Sequence, residues 1–127
     1  MREREVAEQL MIEIREYIPL KADCYTLLSD FYRRCYGIEI PRYEYNPVRQ
    51  EKPPDEVWQD WEAIDQAEAR PGDVVLLYSE LGVHVGILLD NGEFLHSTCM
   101  SNPPVRIGKL AALPRGKSSI DFVRYRK

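Results

Sequence analysis

Residues 84–97 read HVGILLDNGEFLHS and decide the fold, because two runs with alternating apolar residues flank a turn signal. The Asp-Asn-Gly run at 90–92 is typical of tight connections between antiparallel strands. The pattern therefore predicts a β-hairpin with one face directed into a core. The same hairpin carries His84 and His96, and the chain has only 2 histidines.

The register of this hairpin decides whether the two imidazoles meet. A two-residue turn at 91–92 would place His96 opposite Ile87 and the imidazoles on opposite faces of the sheet. A three-residue loop at 90–92, a type I turn ended by a left-handed glycine, would place His96 opposite Gly86. The histidines would then be diagonal neighbours with Cβ atoms about 7 Å apart, and the glycine would leave the space between them open. We predict the three-residue loop. The other face, which should pack into the core, then consists of Val85, Ile87 and Leu95.

Residues 21–37, KADCYTLLSDFYRRCYG, predict a helix that begins near Cys24 and ends at Gly37. A cysteine in the first turn meets unpaired backbone N–H groups and the positive end of the helix dipole, which both stabilise a thiolate. Asp23 is the predicted N-cap, although its negative charge partly opposes the thiolate. The alternative is that Cys24 simply fills space in the apolar stripe that it shares with Leu27, Leu28, Phe31 and Cys35.

The remaining elements place helices before strands. Apolar spacing predicts a first helix over 3–17, ended by Pro19, and DEVWQDWEAIDQAEA predicts a third helix over 55–69. A proline-rich stretch at 41–54 is predicted to be an extended surface loop. Period-two patterns predict strands at 73–78, 84–89, 93–97, 104–107 and 119–125. The sequence thus predicts a single α+β domain over 1–127, with N-terminal helices packed on a mainly antiparallel sheet of five or six strands.

Composition excludes several classes of function. The 127 residues carry a net charge of −4, and the lysines and arginines are scattered, which argues against nucleic-acid binding. The first residues, MREREVAEQLMIEIREY, hold no continuous apolar stretch, so neither a secretory signal nor membrane insertion is expected. Synthesis in the cytoplasm without a signal peptide follows as an expectation.

The cysteines predict neither a disulfide nor a metal site. Cys24 and Cys35 lie on one predicted helix, about 16 Å apart along its axis, which is far beyond disulfide reach. No CxxC or HxxxH spacing occurs, and Cys99 three residues after His96 is a poor ligand pair. We therefore expect no metal and no cofactor.

Three segments resemble a known family in order and spacing. DCYTLLSDFYRRCYGIEIPRY, RPGDVVLLY and HVGILLDNGEFLHS are similar to the blocks of the NlpC-type cell-wall cysteine peptidases, a papain-like group. The resemblance covers roughly residues 17–97, and the closing FVRYRK is similar to the family's last strand. It implies a papain-like α+β fold with the nucleophile at a helix start. The DCY opening and YGIEIP most resemble the versions in tail-tip proteins of long-tailed bacteriophages and prophages.

The resemblance also implies roles for three residues. Cys24 matches the nucleophile, His84 the general base and later acid, and His96 the residue that orients His84. The implied reaction is hydrolysis of amide bonds in peptidoglycan stem peptides through a thioester acyl-enzyme, commonly between γ-D-glutamate and a diamino acid. Implied partners are the stem peptide and other tail-tip proteins, and the implied location is a phage tail that acts on the cell wall in the periplasm.

Two positions depart from the family pattern. The usual Tyr-x-Trp-Gly-Gly stretch before the nucleophile is replaced by EYIPLKA, which leaves Tyr17 as the candidate substrate-positioning tyrosine. The serine that commonly follows the nucleophile is Tyr25, a bulkier neighbour of the cleft. The backbone N–H of Cys24 is the first candidate oxyanion donor. Asp23, Tyr25 and Tyr17 are accordingly candidate substrate or oxyanion residues.

Two other functions stay open at this stage. The chain could be a structural or assembly protein of a tail tip that retains the peptidase fold without needing catalysis. It could also be an acyltransferase or amidase that uses the same residues on an amide outside the cell wall, because a fold and a triad do not define the acyl acceptor. The presence of one cysteine and two histidines in the family's order favours the peptidase.

Overall fold

The computed structural model describes residues 2–15, 24–40, 59–79, 82–97, 103–113 and 120–126, with the backbone alone described at 24, 25, 78, 79, 82 and 83. Two helices come first, α1 (Arg2–Glu13) and α2 (Cys24–Tyr36). Six strands follow, β1 (Trp61–Ile64), β2 (Val74–Ser79), β3 (Gly82–Leu88), β4 (Glu93–Ser97), β5 (Val105–Lys109) and β6 (Ile120–Tyr125). Short 3-10 turns lie at Gln66–Glu68 and Leu110–Ala112.

The strands form one sheet in the order β1-β6-β2-β3-β4-β5, and every neighbouring pair is antiparallel. Each strand predicted from the alternation of apolar residues is present, and β5 contains residues 105–107 of the short PVRI segment. The α+β class and the antiparallel sheet are therefore confirmed. The third predicted helix is wrong, because part of it forms β1 instead.

Both helices pack on one face of the sheet. Four residues of the apolar stripe predicted for α2 are buried, namely Leu27, Leu28, Phe31 and Cys35, and Leu10 of α1 is fully buried. They share a core with residues of the central strands, Val74, Leu76, Val85, Ile87, Leu95 and Val105. Each fully buried leucine or phenylalanine in such a core contributes about 1.5 to 3 kcal/mol. A smaller cluster on the opposite face consists of Val75, Leu88, Phe94 and Phe122.

The helix predicted over 55–69 does not form at Trp61. This residue begins β1 opposite Tyr125 of β6, and only 8% of its surface is exposed. Burial of the indole against the core and pairing with β6 outweigh the helix propensity of the Glu and Ala residues around it. Residues 55–58 lie outside the described part of the chain.

Helix α1 ends earlier than predicted, whereas α2 ends where it was predicted to end. Helix α1 ends at Glu13, so residues 14 and 15 are not helical, although the predicted helix included them. Residues 16–19 lie outside the described part of the chain. Helix α2 stops at Gly37 as expected. Gly37 has a φ of 67°, and its N–H donates to the carbonyl of Arg33 at 3.0 Å. A left-handed glycine directly after the last turn is a common helix stop. The predicted loop at 41–54 lies outside the described residues.

Candidate active site

The hairpin of β3 and β4 has the register that brings its histidines together. Gly86 lies opposite His96 and Leu88 lies opposite Phe94. The N–H of Leu89 donates to the carbonyl of Glu93 at 2.8 Å, which closes a three-residue loop. The predicted register is therefore confirmed.

The conformation of that loop differs from the predicted type I turn. Asn91 and Gly92 both have positive φ, 58° and 69°, whereas only the glycine was expected to be left-handed. The N–H of Glu93 donates to the carbonyl of Asp90 at 3.2 Å, so the two left-handed residues form a turn of the I′ kind. Asparagine is among the few residues that adopt this conformation at little cost. Arg4 of α1 forms ion pairs with Asp90 and Glu93 and so holds the loop against the helix.

The two imidazoles form a direct hydrogen bond. Nε2 of His84 lies 2.8 Å from Nδ1 of His96, and the rings are nearly perpendicular at 86°. Because this bond uses Nε2 of His84, only Nδ1 of that ring can exchange a proton with another group. For Nδ1 to act as a base, Nε2 must carry the proton and donate it to His96, whose own proton then lies on Nε2. The pair can thus orient a neutral imidazole for proton abstraction.

The space beside Gly86 is filled, although it was predicted to be open. A Cβ atom at this glycine would lie 2.7 Å from Cδ2 of Phe94 and 2.9 Å from Cγ1 of Val75. The Phe94 ring also lies against His96, with ring centroids 4.9 Å apart. The glycine therefore admits an aromatic ring that supports the His96 imidazole.

Replacing Gly86 by alanine is expected to lower the free energy of unfolding by about 1 to 3 kcal/mol, because the new methyl group overpacks this contact. Denaturant titration measures the change. In a double-mutant cycle with Phe94→Leu, the double variant should lose less stability than the sum of the two single losses. Gly86→Ala with wild-type stability would show that the Phe94 ring does not need this space.

Burial shifts the proton affinity of both histidines. Desolvation, with a smaller effect from the neighbouring His96, lowers the pKa of His84 from 6.5 to about 4. Burial, followed by the positive charge of Arg106, lowers the pKa of His96. Arg106 is a residue of β5 and lies directly opposite His96 of β4. Arg106 was not among the residues predicted for the site, because the pattern predicted its strand but not the register of that strand. Both imidazoles are consequently neutral at pH 7.

We expect the protein to lose stability as the pH falls from about 6.5 to about 4. In this window the unfolded chain binds a proton at His84 that the folded chain does not, so unfolding is favoured by up to about 3 kcal/mol. Urea titrations at several pH values measure the slope. His84→Gln should flatten the slope, and a wild-type slope unchanged by His84→Gln would contradict the lowered pKa.

The contacts near the C-terminal end of α2 indicate where Cys24 is expected to lie. Near the end of the helix, the Tyr32 hydroxyl donates to the carbonyl of Gly72. The N–H of Gly72 in turn donates to the carbonyl of Leu88, at the last residue of β3. Cys24 is the first residue of α2, about 12 Å from Tyr32 along the helix axis. Helix α2 contacts β3 and β4, and we expect it to begin toward the other end of these strands, where His84 and His96 lie.

The roles assigned to Cys24 and its neighbouring residues remain predictions. The side chains of Cys24 and Tyr25 lie outside the described part of the structure, as do Asp23 and Tyr17. The helices pack on the face of Val85, whereas the imidazoles project from the other face. Contact between the Cys24 thiol and His84 would therefore form at the end of β3 and not through the middle of the sheet.

Ser97 is a buried polar residue next to His96 that was not among the residues predicted for the site. Its side chain is 1% exposed, and no residue in the described ranges hydrogen-bonds its Oγ. It lies opposite Val105, on the sheet face that α2 covers. A buried hydroxyl without a partner costs about 1 to 3 kcal/mol. The sequence around Ser97 does not indicate that this hydroxyl is buried without a partner among the described residues, because any small residue would suit the strand pattern.

Asp73 holds the turn before β2. Its Oδ2 accepts a hydrogen bond from the N–H of Arg70 at 3.0 Å. The same carboxylate binds the Arg124 guanidinium of β6 through two contacts, 3.0 and 2.9 Å. This ion pair joins two strands that are distant in sequence, and no local motif indicates it.

Within the described ranges, no group of three or more His, Cys, Asp and Glu side chains is arranged to hold a metal ion. No helix in those ranges has both the length and the apolar character needed to span a bilayer.

A hydrogen-bonded histidine pair on an antiparallel sheet, beside a helix that begins with cysteine, defines a papain-like class of domain. The NlpC/P60 family profile matches residues 14–112, and the chain belongs to this family.

The chain is also similar to a murein DD-endopeptidase/LD-carboxypeptidase, MepS, of Escherichia coli K12, with 29% identity over 80 residues. These residues are 62% of this chain and 37% of the relative, so the chain spans well under half of that protein. The proteins of the same name in two further Escherichia coli strains give the same figures.

Solved structures confirm the fold. RipD of Mycobacterium tuberculosis, described as a non-catalytic NlpC/P60 domain adapted to peptidoglycan binding, has a TM-score of 0.57 at 15% identity, covering 98% of each chain. The P60 domain of a Mycobacterium avium subspecies paratuberculosis antigen has a TM-score of 0.58 at 19% identity, covering 98% of this chain and 94% of that one. The peptidoglycan hydrolase RipB of Mycobacterium tuberculosis gives 0.53 at 18%, covering 97% and 66%.

Proposed function

We propose that this domain is a cysteine peptidase that hydrolyses amide bonds in peptidoglycan stem peptides. The observation that carries the proposal is the His84–His96 hydrogen bond, and Cys24 at the first position of α2 supplies the proposed nucleophile. Membership of the NlpC/P60 family and similarity to a murein endopeptidase support the choice of substrate. In this proposal Cys24 is the nucleophile, and Asp23, Tyr25 and Tyr17 shape the substrate and oxyanion contacts.

The proposed reaction uses one proton carrier throughout. Nδ1 of His84 takes the thiol proton while Sγ of Cys24 attacks the amide carbonyl, and the backbone N–H of Cys24 stabilises the oxyanion. The C–N bond then breaks, and His84 gives the proton to the departing amine, which leaves a thioester. His84 next takes a proton from water, whose oxygen attacks the thioester and releases the peptide carboxylate. The proton returns to Cys24, and His96 holds the imidazole in place.

The pH dependence of Cys24 alkylation tests whether the thiol is activated. A cysteine at a helix start with a histidine as its base should react with iodoacetamide at pH values well below the ordinary thiol pKa of about 8.5. The rate is measured by mass spectrometry of the labelled Cys24 peptide. We expect His84→Gln to move the midpoint toward the ordinary value.

Cys35 provides the internal control, because it lies in the same helix and its burial raises its pKa to about 11. Its labelling should remain negligible over the same pH range. A Cys24 rate that follows an ordinary thiol in both wild type and His84→Gln would count against a catalytic cysteine.

We further propose that the domain works in a phage or prophage tail and acts on the cell wall in the periplasm. The likeness of DCY and YGIEIP to tail-tip versions of the family supports this placement. Mass spectrometry of purified tail particles from a producing strain tests it, and other tail-tip proteins are the expected partners. Particles that lack this chain, although the chain is expressed, would exclude the placement.

A second candidate function is a peptidoglycan-binding or assembly domain without catalysis. Two observations favour it: a structural neighbour is described as non-catalytic, and the imidazoles project from the sheet face that the helices do not cover. In that case the fold would serve as a docking surface for cell-wall peptides or tail proteins. The comparison of cleavage by wild type and a Cys24 variant separates the two functions.

A further inference from the structure

A pocket lies at the end of α2 that is remote from Cys24. Its volume is about 400 Å³, and its lining includes Glu3, Tyr36, Arg70, Gly72, Asp73 and Arg124. Tyr36 is the last residue of α2, so the pocket lies about 18 Å along the helix axis from Cys24. The proposed peptidase chemistry makes no use of this pocket.

Arg70 is the arginine of this pocket that is available to bind a ligand. The other arginine, Arg124, is already bound through two nitrogens to Asp73, so this pair is neutral overall. The Arg70 side chain is exposed, and no acidic residue in the described ranges pairs with its guanidinium. A guanidinium binds carboxylates through a planar pair of N–H donors.

Glu3 supplies a negative charge in the same pocket. Its carboxylate accepts a hydrogen bond from the hydroxyl of Tyr36 at 2.9 Å, which fixes its position. Tyr36 is 39% exposed, so part of this residue is accessible to solvent. A ligand that carries an amino group would meet Glu3, while an apolar stem could lie on the Tyr36 ring.

The close fit of Tyr36 against Gly72 makes this wall rigid. Gly72 has a φ of 94°, and a Cβ atom there would lie 2.1 Å from the Tyr36 hydroxyl oxygen. The Tyr36 ring packs edge-on against Tyr32, with ring centroids 5.2 Å apart. The aromatic wall is thus formed before any ligand binds, which reduces the entropy lost on binding.

We propose that this pocket binds a peptide end carrying both a carboxylate and an amino group, with Arg70 holding the carboxylate and Glu3 the amino group. Polyanions fit poorly, because Glu3 lines the pocket and the chain has a net charge of −4. If the proposed function is right, the diamino acid of a stem peptide has the required pair of groups. The pocket would then hold a cell-wall peptide away from the catalytic end.

Titration of the tripeptide L-alanyl-γ-D-glutamyl-diaminopimelate into ¹⁵N-labelled Cys24→Ala protein tests the pocket without turnover. We expect saturable shifts of the amide signals of Gly72 and Tyr36. Arg70→Gln should raise the Kd at least about tenfold, since a charge-assisted contact is lost. Glu3→Gln should raise it severalfold, although the amide oxygen can still accept the Tyr36 hydrogen bond. The matched control is Arg33→Gln, which alters an exposed arginine of α2 that pairs with Asp30 and should leave the Kd unchanged.

Different outcomes of these experiments contradict the pocket proposal and the peptidase proposal. Shifts confined to the signals around His84 and His96, or a Kd that Arg70→Gln leaves unchanged, would overturn the pocket even if wild type cleaves peptidoglycan. Saturable Arg70-dependent binding by a protein that cleaves nothing would support the pocket and count against the peptidase. The same titration with the diaminopimelate amino group acetylated should weaken binding to wild type but not to Glu3→Gln.

Discussion

Cys24→Ala is expected to abolish cleavage of peptidoglycan stem peptides. Removal of the sulfur eliminates the group that attacks the carbonyl, and loss of a covalent nucleophile typically lowers kcat by at least about 10³-fold. Wild type and variant are incubated with purified sacculi or synthetic muropeptides, and the products are identified by mass spectrometry. Wild type should release fragments with a new amine terminus, and the masses of these fragments identify the bond that is cut.

Cys35→Ala is the matched control, because it removes a thiol from the same helix. This thiol is buried, and burial raises its pKa to about 11, so it cannot serve as a nucleophile at neutral pH. We expect the variant to lose some stability and to keep its activity per folded molecule. Cleavage by Cys24→Ala at the wild-type rate would contradict the mechanism. Absence of cleavage by both wild type and variant would favour the binding or assembly function.

The hairpin was predictable because its constraints are local. A slip of one residue would move Val85, Ile87 and Leu95 out of the core, and the energetic cost of exposing them selects one register. The predicted turn type was wrong because two turn conformations suit the Asp-Asn-Gly run. The contact of Arg4 with Asp90 comes from a helix more than eighty residues away, and a local pattern does not contain it.

Strand β1 was missed for the opposite reason. Its residues, WEAI, and those that follow have good helix propensity, and nothing nearby shows that β6 will pair with them. Trp61 decides the outcome, since its burial against Tyr32 and Tyr125 requires the extended backbone. Long-range burial therefore overrides a local preference in this segment.

The candidate site was predictable only where it depends on the hairpin. His84 and His96 meet because strand geometry places diagonal neighbours within reach of each other. The ring of Phe94 over Gly86 and the charge of Arg106 beside His96 depend on packing and on the β4–β5 register, which the sequence pattern does not define. These two contacts nevertheless influence the proton affinity and orientation of the pair.

His84 and His96 variants should separate the base from the residue that orients it. His84→Gln removes the proton carrier, and kcat/KM should fall by at least about 10³-fold. His96→Leu leaves a base without its hydrogen-bond partner, and we expect a loss of about 10²-fold or more. His96→Asn should recover much of this loss, because the amide oxygen can accept the proton of His84 Nε2 as the imidazole does. The measurement is the rate of muropeptide hydrolysis under subsaturating conditions.

The pH profile of wild type distinguishes this arrangement from a merely structural histidine pair. Because burial lowers the pKa of His84 to about 4, the neutral base persists in acid, and the acidic limb of kcat/KM should lie below the ordinary value of 6.5. His96→Asn removes a neighbouring imidazole that contributes to the lowering, so its acidic limb should move toward higher pH. A wild-type limb at or above 6.5, or equal losses in His96→Asn and His96→Leu, would show that His96 does not orient a buried base.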